Sequence, residues 1–119
     1  MLVDGYNVAK LAWPDLDLAG QRIVLLDAVE NLAKRYGSDV TVVFDGADVT
    51  GATADGRRVI RVVYSPDDVI ADDVIRDEVR RLPASRPVVV VTSDQAIGRD
   101  VRAMGANTRT SDQLLSLMR

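Results

Sequence analysis

The sequence predicts an α/β fold in which a mainly parallel sheet is covered by helices on both faces. Short apolar runs alternate along the chain with longer amphipathic stretches, which is the pattern of repeated strand–helix units. Two of the runs, 40–44 and 88–91, are continuous and rich in valine, as in strands buried on both faces. The length of 119 residues and the hydrophobic content of 47% are enough for one domain with its own core over 1–119. Because an apolar strand begins at Met1, we expect this domain to be part of a longer chain.

Local sequence features predict where each helix, strand and loop lies. The longest helix, 18–36, carries apolar residues at helical spacing, and Gly37 is placed to end it. The segment 46–57 is rich in Gly, Thr, Ala and Asp and predicts a loop, so the crossover between the second and third strands is the weakest part of the pattern. The predicted strands are 1–3, 40–44, 59–64, 88–91 and 106–109, and the predicted helices are 18–36, 68–82, 95–104 and 112–118.

Composition excludes several kinds of chemistry. The chain has no cysteine and no histidine, so disulfides, thiolate or imidazole metal sites and Ser-His-Asp triads are excluded. Hydrolysis would depend on carboxylates, hydroxyls, lysine or arginine, and a hard metal held by oxygen.

No apolar run approaches the length of a membrane span and no signal peptide is visible, so we expect a cytoplasmic protein without membrane contact.

Three apolar strands end in an aspartate: Asp4, Asp45 and Asp94. The carboxyl ends of parallel strands share one edge of a sheet, and ligands bind there where the strand order reverses. We therefore expect these carboxylates to converge. For each one alone, a helix cap or a turn is the more ordinary explanation, and Asp45-Gly46 is the most turn-like of the three.

A fourth carboxylate lies in the apolar stripe of the helix that follows Pro66. On a helical wheel Asp72 falls between Val69 and Ile75, near the N-terminal end of the helix. An unpaired charge buried there would cost several kcal/mol, so a cation should compensate it. Asp73 lies towards the flank and ranks second as a metal ligand. The alternative is an ordinary surface ion pair between Asp72 and Arg76.

Polar residues near these strand ends could support a site. Asn7 could hold a water, a phosphate or a carboxylate, and Thr92 and Ser93 offer hydroxyls before a helix N-terminus. Clustered carboxylates raise one another's pKa, so a fold retains them when a cation is bound or a proton is shared. Mg²⁺ or Mn²⁺ matches such oxygen ligands and keeps waters that can serve as nucleophiles.

The motifs resemble those of NYN domains, which belong to the PIN-like nucleases, and the YacP-like NYN ribonucleases in particular. The residues that carry the resemblance occur in the same order over nearly the whole chain: 3–7 (VDGYN), 12–14 (AWP), 43–46 (VFDG), 71–73 (ADD) and 91–94 (VTSD). At position 73 this sequence has aspartate where the family often has glutamate.

The resemblance implies a PIN-like three-layer α/β/α sandwich and a metal-dependent endoribonuclease. Asp4, Asp72 and Asp94 would be the main metal ligands, with Asp73 beside them. Asn7, Thr92 and Ser93 would support the site and Asp45 would lie at its edge. Some relatives act on messenger RNA at the ribosome, so RNA is the expected partner.

The net charge of −3 means that local basic groups must hold the RNA. We expect Arg99 and Arg58 to contact it, and Trp13 or Tyr6 to stack on a base, unless Trp13 only packs its loop onto the core.

The residues leave one alternative function open and argue against two others. A PIN-like module could bind RNA or the ribosome without cutting. A phosphoacceptor receiver domain would need an acidic pair after the first strand and a late lysine, whereas the last lysine here is Lys34. A haloacid-dehalogenase-type phosphatase would need a second aspartate at position 6, where Tyr6 stands.

Overall fold

A computed structural model describes residues 1–46, 59–66, 68–83 and 85–118. Five strands and five helices are placed in this part of the chain. The strands are β1 (Leu2–Asp4), β2 (Thr41–Phe44), β3 (Arg61–Tyr64), β4 (Val89–Val91) and β5 (Asn107–Arg109). The helices are α1 (Gly5–Ala12), α2 (Leu18–Tyr36), α3 (Ala71–Arg81), α4 (Gln95–Ala103) and α5 (Ser111–Met118).

The five strands form one sheet in the order β3-β2-β1-β4-β5, and every pairing among them is parallel. The first strand is central: Val3 pairs with Val42 on one side and with Val91 on the other. The strand order therefore reverses between β1 and β4, and the crevice at the carboxyl ends of these two strands is the expected ligand position. The predicted parallel sheet is confirmed.

Alternate strand residues face two separate apolar layers. Phe44 and Val42 pack with α1, α2 and α5, whereas Val43 packs with α3 and α4. Val90 and Val91 divide in the same way, because successive side chains of a strand point to opposite faces. The three-layer α/β/α sandwich is confirmed.

The chain enters a helix directly after the first strand. The sequence predicts a turn at Asp4-Gly5, but Gly5–Ala12 is helical, with Tyr6, Val8 and Ala9 buried. Asp-Gly is a strong turn signal, and an eight-residue helix has too few turns for its apolar spacing to stand out. This short helix places the residues that follow Asp4 beside the end of the sheet.

The other elements follow the sequence prediction closely. The bounds of α2 are as predicted, because Asp17 accepts a hydrogen bond from the Gly20 amide at its start and Gly37 adopts a φ of 62° at its end. The third helix begins three residues later than predicted, at Ala71. Of the predicted loop 46–57, only Gly46 lies within the described residues. None of the described helices is long and apolar enough to cross a membrane.

Gly5 allows α1 to approach the sheet closely, so we expect Gly5→Ala to destabilise the protein. An added Cβ would lie 2.5 Å from Cδ1 of the fully buried Phe44 and 3.0 Å from the Val43 carbonyl oxygen. Overpacking of this kind lowers the free energy of unfolding by about 1–3 kcal/mol. Equilibrium urea denaturation measures the change.

The matched control for this prediction is Gly98→Ala in α4. There the three atoms nearest to an added Cβ all belong to the flexible guanidinium end of Arg102. The change should be neutral or stabilising by up to about 1 kcal/mol, because alanine loses less backbone entropy than glycine in a helix. Equal effects of the two substitutions would contradict the close approach of α1.

Candidate active site

Three aspartates that are distant in sequence line one cavity at the carboxyl edge of the sheet. Asp4 ends β1, Asp94 follows β4, and Asp72 is the second residue of α3. The cavity has a volume of about 260 Å³. It is lined by Asp4, Tyr6, Asn7, Lys10, Asp45, Ala71, Asp72 and Asp94.

Asp4 does not act as a helix cap. It occupies the position before α1, but its side chain accepts no capping hydrogen bond. Instead Oδ2 accepts a hydrogen bond of 2.9 Å from the Thr92 hydroxyl, and the residue is only 7% exposed. The capping explanation is therefore wrong for Asp4, which is a buried carboxylate held by the neighbouring strand end.

The local environment opposes negative charge on Asp4 and Asp72. Burial above all, together with the nearby charges of Asp72 and Asp94, raises the pKa of Asp4 to about 6, against the lowering effects of the Thr92 hydrogen bond and the Lys10 charge. Burial, followed by the charge of Asp94, also raises the pKa of Asp72. The Arg76 charge acts in the other direction on Asp72. The cavity thus holds carboxylates that are more stable when protonated or when a cation is close.

Asp94 combines the two roles between which the sequence could not decide. Its Oδ1 accepts hydrogen bonds from the backbone amides of Ala96 (2.9 Å) and Ile97 (3.2 Å), so it caps α4. The same residue lines the cavity. Its own amide donates to the Thr92 hydroxyl oxygen at 3.1 Å, and because a backbone amide only donates, the hydroxyl proton is directed to Asp4.

The predicted supporting residues are in contact with one another. Asn7 lines the cavity, and its Oδ1 accepts hydrogen bonds from the Ser93 amide and the Ser111 hydroxyl, both at 2.9 Å. The Ser93 hydroxyl accepts from the Ser111 amide at 3.1 Å. Thr92 and Ser93 therefore organise the site through hydrogen bonds within the protein.

The remaining two acidic predictions differ in position. Asp45 is half-buried and lines the cavity beside the other three aspartates. Asp73 does not line it: its carboxylate pairs at 3.2 Å with Arg76, which also bonds Asp100 of α4 at 2.8 Å. The structure therefore brings Asp45 to the site and leaves Asp73 at the surface between α3 and α4.

Sequence reasoning missed Lys10 and Ser111. Among the described residues that line the cavity, Lys10 is the one cation, and its Nζ lies 5.5 Å from the centre of the Tyr6 ring. Had α1 been predicted, the spacing of three between Asn7 and Lys10 would have put both on one helix face. Nothing in the sequence indicates Ser111, because its role depends on where the last helix packs.

The predicted RNA contacts lie away from this cavity or outside the described residues. Arg99 is exposed on α4, whose buried residues are Ile97, Gly98 and Val101. Trp13 packs against the core and lines a separate groove between α1, α2 and α5. Arg58 lies outside the described residues.

Tyr6 is not available to stack on a base. It is 6% exposed, its ring packs on Phe44 with centroids 4.8 Å apart, and its hydroxyl accepts a hydrogen bond from Arg22.

The donor set fits a hard divalent metal, although the described residues offer no ready group of three ligands. Within residues 1–46, 59–66, 68–83 and 85–118, no three carboxylates are grouped so that they could hold a metal ion together. Mg²⁺ normally binds one or two carboxylates and completes its coordination with waters and substrate phosphates. The all-oxygen lining of the cavity is compatible with that mode of binding.

Two larger cavities are lined by fewer acidic residues among those described. One, of about 410 Å³, lies at the amino ends of the strands, where Glu78 pairs with Arg61 and Asp39 lies 3.7 Å from Arg86. The other, of about 360 Å³, is the groove that contains Trp13. The cavity beside Asp4 is therefore the candidate active site because of its acidic side chains, although it is smaller than the other two.

The parallel α/β/α fold and the carboxylate-lined crevice are compatible with a nuclease-type protein. The sequence model of the YacP-like NYN domain matches residues 1–119. The chain belongs to the YacP-like NYN domain family, a nuclease family for which RNA is the implied substrate.

Solved structures agree with this assignment. The crystal structure of Rae1 (YacP) from Bacillus subtilis superimposes with a TM-score of 0.84 at 28% identity, over 98% of this chain and 71% of that one. A tryptophan-to-leucine variant of the same Bacillus subtilis protein gives a TM-score of 0.81 at 27% identity, over 98% and 72% of the two chains. No curated protein matches the chain.

Because burial raises the pKa of Asp4 to about 6, its charge should destabilise the protein at neutral pH. The folded state binds the Asp4 proton more tightly than the unfolded state, so stability present at low pH is lost as the pH rises through about 6. In chelator, Asp4→Asn should raise the free energy of unfolding by up to about 3 kcal/mol at about pH 8. The gain should vanish near pH 4, as denaturant titrations at both pH values would show.

The control for the pH experiment is Asp15→Asn, which changes an exposed aspartate outside the cavity. It should shift stability by less than about 0.5 kcal/mol at either pH. If the Asp4→Asn variant is no more stable than wild type at the higher pH, the ionised Asp4 carboxylate does not destabilise the folded protein.

Proposed function

We propose that this chain is a metal-dependent endoribonuclease that hydrolyses RNA phosphodiester bonds through Asp4, Asp72 and Asp94. The observation that carries the proposal is the convergence of these three carboxylates in one crevice, where burial and mutual repulsion raise the pKa of Asp4 and Asp72. Such a cluster lowers the stability of the fold, which is typical of a site maintained for chemistry.

One or two of these carboxylates would bind Mg²⁺ or Mn²⁺ directly, and the others would act through the waters of the ion, which fits their hard oxygen donors. When bound, the ion supplies an activated water and neutralises charge on a phosphoryl oxygen. Asp45 would add negative charge at the edge of the site. Asp73 joins this set only if it leaves its ion pair with Arg76.

The protein groups have distinct parts in this proposal. Asp4 is fixed by Thr92, and Asp94 is fixed by the start of α4, so two of the three carboxylates are held before RNA binds. Pre-organised ligands need no rearrangement when charge develops on the phosphate. The chain has no histidine to activate a ribose 2′-hydroxyl, so we expect 5′-phosphate and 3′-hydroxyl ends and no cyclic phosphate.

RNA binding requires positive charge next to four aspartates. Lys10 is the cation that lines the cavity, and we propose that it contacts the phosphate backbone there. Arg99, Arg58 and Trp13 remain predicted contacts farther along the RNA strand. Messenger RNA on the ribosome and a cytoplasmic location also remain predictions.

Cleavage assays test the catalytic assignment. Labelled single-stranded RNA should be cut in Mn²⁺ or Mg²⁺ and left intact in chelator. Asp94→Asn should lower cleavage on the order of 100-fold or more, because it weakens binding of the ion. Its melting temperature should stay close to that of wild type, because asparagine caps a helix as well as aspartate does.

Asp17→Asn is the matched control, since Asp17 caps α2 through Gly20 but does not line the cavity. This variant should cleave RNA at the wild-type rate. Cleavage that persists in chelator, or an Asp94→Asn variant as active as wild type, would refute the proposal. RNA binding without cleavage in either metal would favour the inactive binding module instead.

A second experiment tests Lys10. Lys10→Ala should raise KM, and the slope of log affinity against log salt concentration should fall in magnitude by about 0.7, the amount expected for one lost contact to a single strand. Lys10→Arg should retain most of the binding. Filter binding at several salt concentrations in chelator measures the slope without cleavage.

Lys34→Ala is the control for Lys10, because Lys34 pairs with Glu30 on α2 and does not line the cavity. It should leave both KM and the slope unchanged. If Arg99→Ala weakens binding and Lys10→Ala does not, the contact predicted from the sequence is the correct one.

A further inference from the structure

Three polar residues from distant parts of the chain form a closed hydrogen-bonded triangle behind the candidate site. Asn7 Oδ1 accepts from the Ser93 amide and from the Ser111 hydroxyl, each at 2.9 Å. The Ser111 amide donates to the Ser93 hydroxyl at 3.1 Å. Ser111 is fully buried at the start of α5, so the triangle joins α1, the end of β4 and the last helix.

The triangle fixes which way the Asn7 amide faces. A backbone amide can only donate, so the Asn7 atom that meets the Ser93 amide must be the oxygen. The NH₂ group then lies at the other end of the side chain. It has no hydrogen-bond partner among the residues that the structure describes, and Asn7 lines the cavity beside Asp4, Asp72 and Asp94.

Ser111 is not needed to cap its own helix. The Thr110 hydroxyl accepts from the Gln113 amide at 3.2 Å, and the Gln113 side chain accepts from the Thr110 amide at 2.8 Å. This reciprocal pair is a complete capping box. The Ser111 hydroxyl is therefore free of that role, and its hydrogen bond goes to Asn7.

We propose that Ser111 is a positioning residue that holds the Asn7 amide with its NH₂ group towards the cavity, where it donates a hydrogen bond to a non-bridging phosphate oxygen of the RNA strand. This inference rests on the proposed ribonuclease function. A neutral donor suits the place, because it binds a phosphate oxygen without forming an ion pair that would compete with the metal for the carboxylates. Two acceptor contacts on Oδ1 restrict the side chain to one orientation before RNA arrives.

The kinetic test uses the whole chain and removes the hydroxyl. Ser111→Ala should lower kcat roughly 10-fold, as expected for a group that orients another, with KM less affected. Ser116→Ala is the control on the same helix, since the Ser116 hydroxyl is exposed and donates only to the Asp112 carbonyl. It should leave kcat unchanged. Assays run well below the melting temperatures keep every variant folded.

A double-mutant cycle separates positioning from a general structural role. If Ser111 acts through Asn7, Ser111→Ala should lower kcat no further in an Asn7→Ala background. The same loss in both backgrounds would overturn the proposal. So would a wild-type kcat in Ser111→Ala accompanied only by a lower melting temperature.

A measurement in chelator keeps this inference distinct from the ribonuclease proposal. In nitrogen–proton NMR spectra, the Asn7 NH₂ signals should shift when a single-stranded RNA oligonucleotide is added. Their order parameter should fall in Ser111→Ala but not in Ser116→Ala. If no variant cuts RNA yet these changes appear, the ribonuclease proposal fails and the positioning role stands. An unchanged order parameter in Ser111→Ala would refute positioning.

Discussion

The central position of β1 is the constraint on which the rest of the structure depends. This strand pairs in parallel with β2 and β4, and the order of the sheet reverses beside it. Parallel strands align their carboxyl ends, so the residue that ends the central strand lies at the crevice where ligands bind in such sheets. Asp4 is that residue, and the apolar layers on both faces leave it little contact with water.

Burying the Asp4 carboxylate at the end of the central strand lowers the stability of the fold but places an acidic group in the crevice. A single neutral hydrogen bond, from Thr92, offsets only part of the lost hydration of Asp4, which is why its pKa stays raised. Thr92 in turn depends on the Asp94 amide for the direction of its own proton. The two carboxylates from β1 and from the start of α4 are thus linked through one hydroxyl, and a disturbance at either strand end reaches both.

The sequence predicted most of the fold and the principal acidic residues for identifiable reasons. The long helix α2 has many turns, a capping aspartate and a terminal glycine, so its pattern leaves little choice of bounds. The convergence of Asp4 and Asp94 follows from parallel topology alone. Asp72 and Asp73 differ by about 100° on a helix, and of the two only Asp72 lines the cavity, whereas Asp73 pairs with Arg76.

What the sequence could not predict depends on short elements and on packing. The helix α1 is only two turns long and begins with glycine, so a turn was the better local prediction, and Lys10 was missed with it. Asp94 serves as cap and cavity residue from one backbone position, and a sequence pattern cannot distinguish two uses of the same carboxylate. The contact of Ser111 with Asn7 is a product of tertiary packing and leaves no local signal.

The separation of 104 residues between Asn7 and Ser111 bears on when the site is assembled. A ribosome makes the chain from the N-terminus, so the asparagine emerges 104 residues before its buried partner. Contacts between such distant residues form late in folding, because the intervening chain must first be ordered. During synthesis, a nascent chain would carry Asp4 and Asn7 for most of the elongation time without the helix that completes their surroundings. A nuclease built in this way would gain its fully ordered site only after the last helix had been released and had docked.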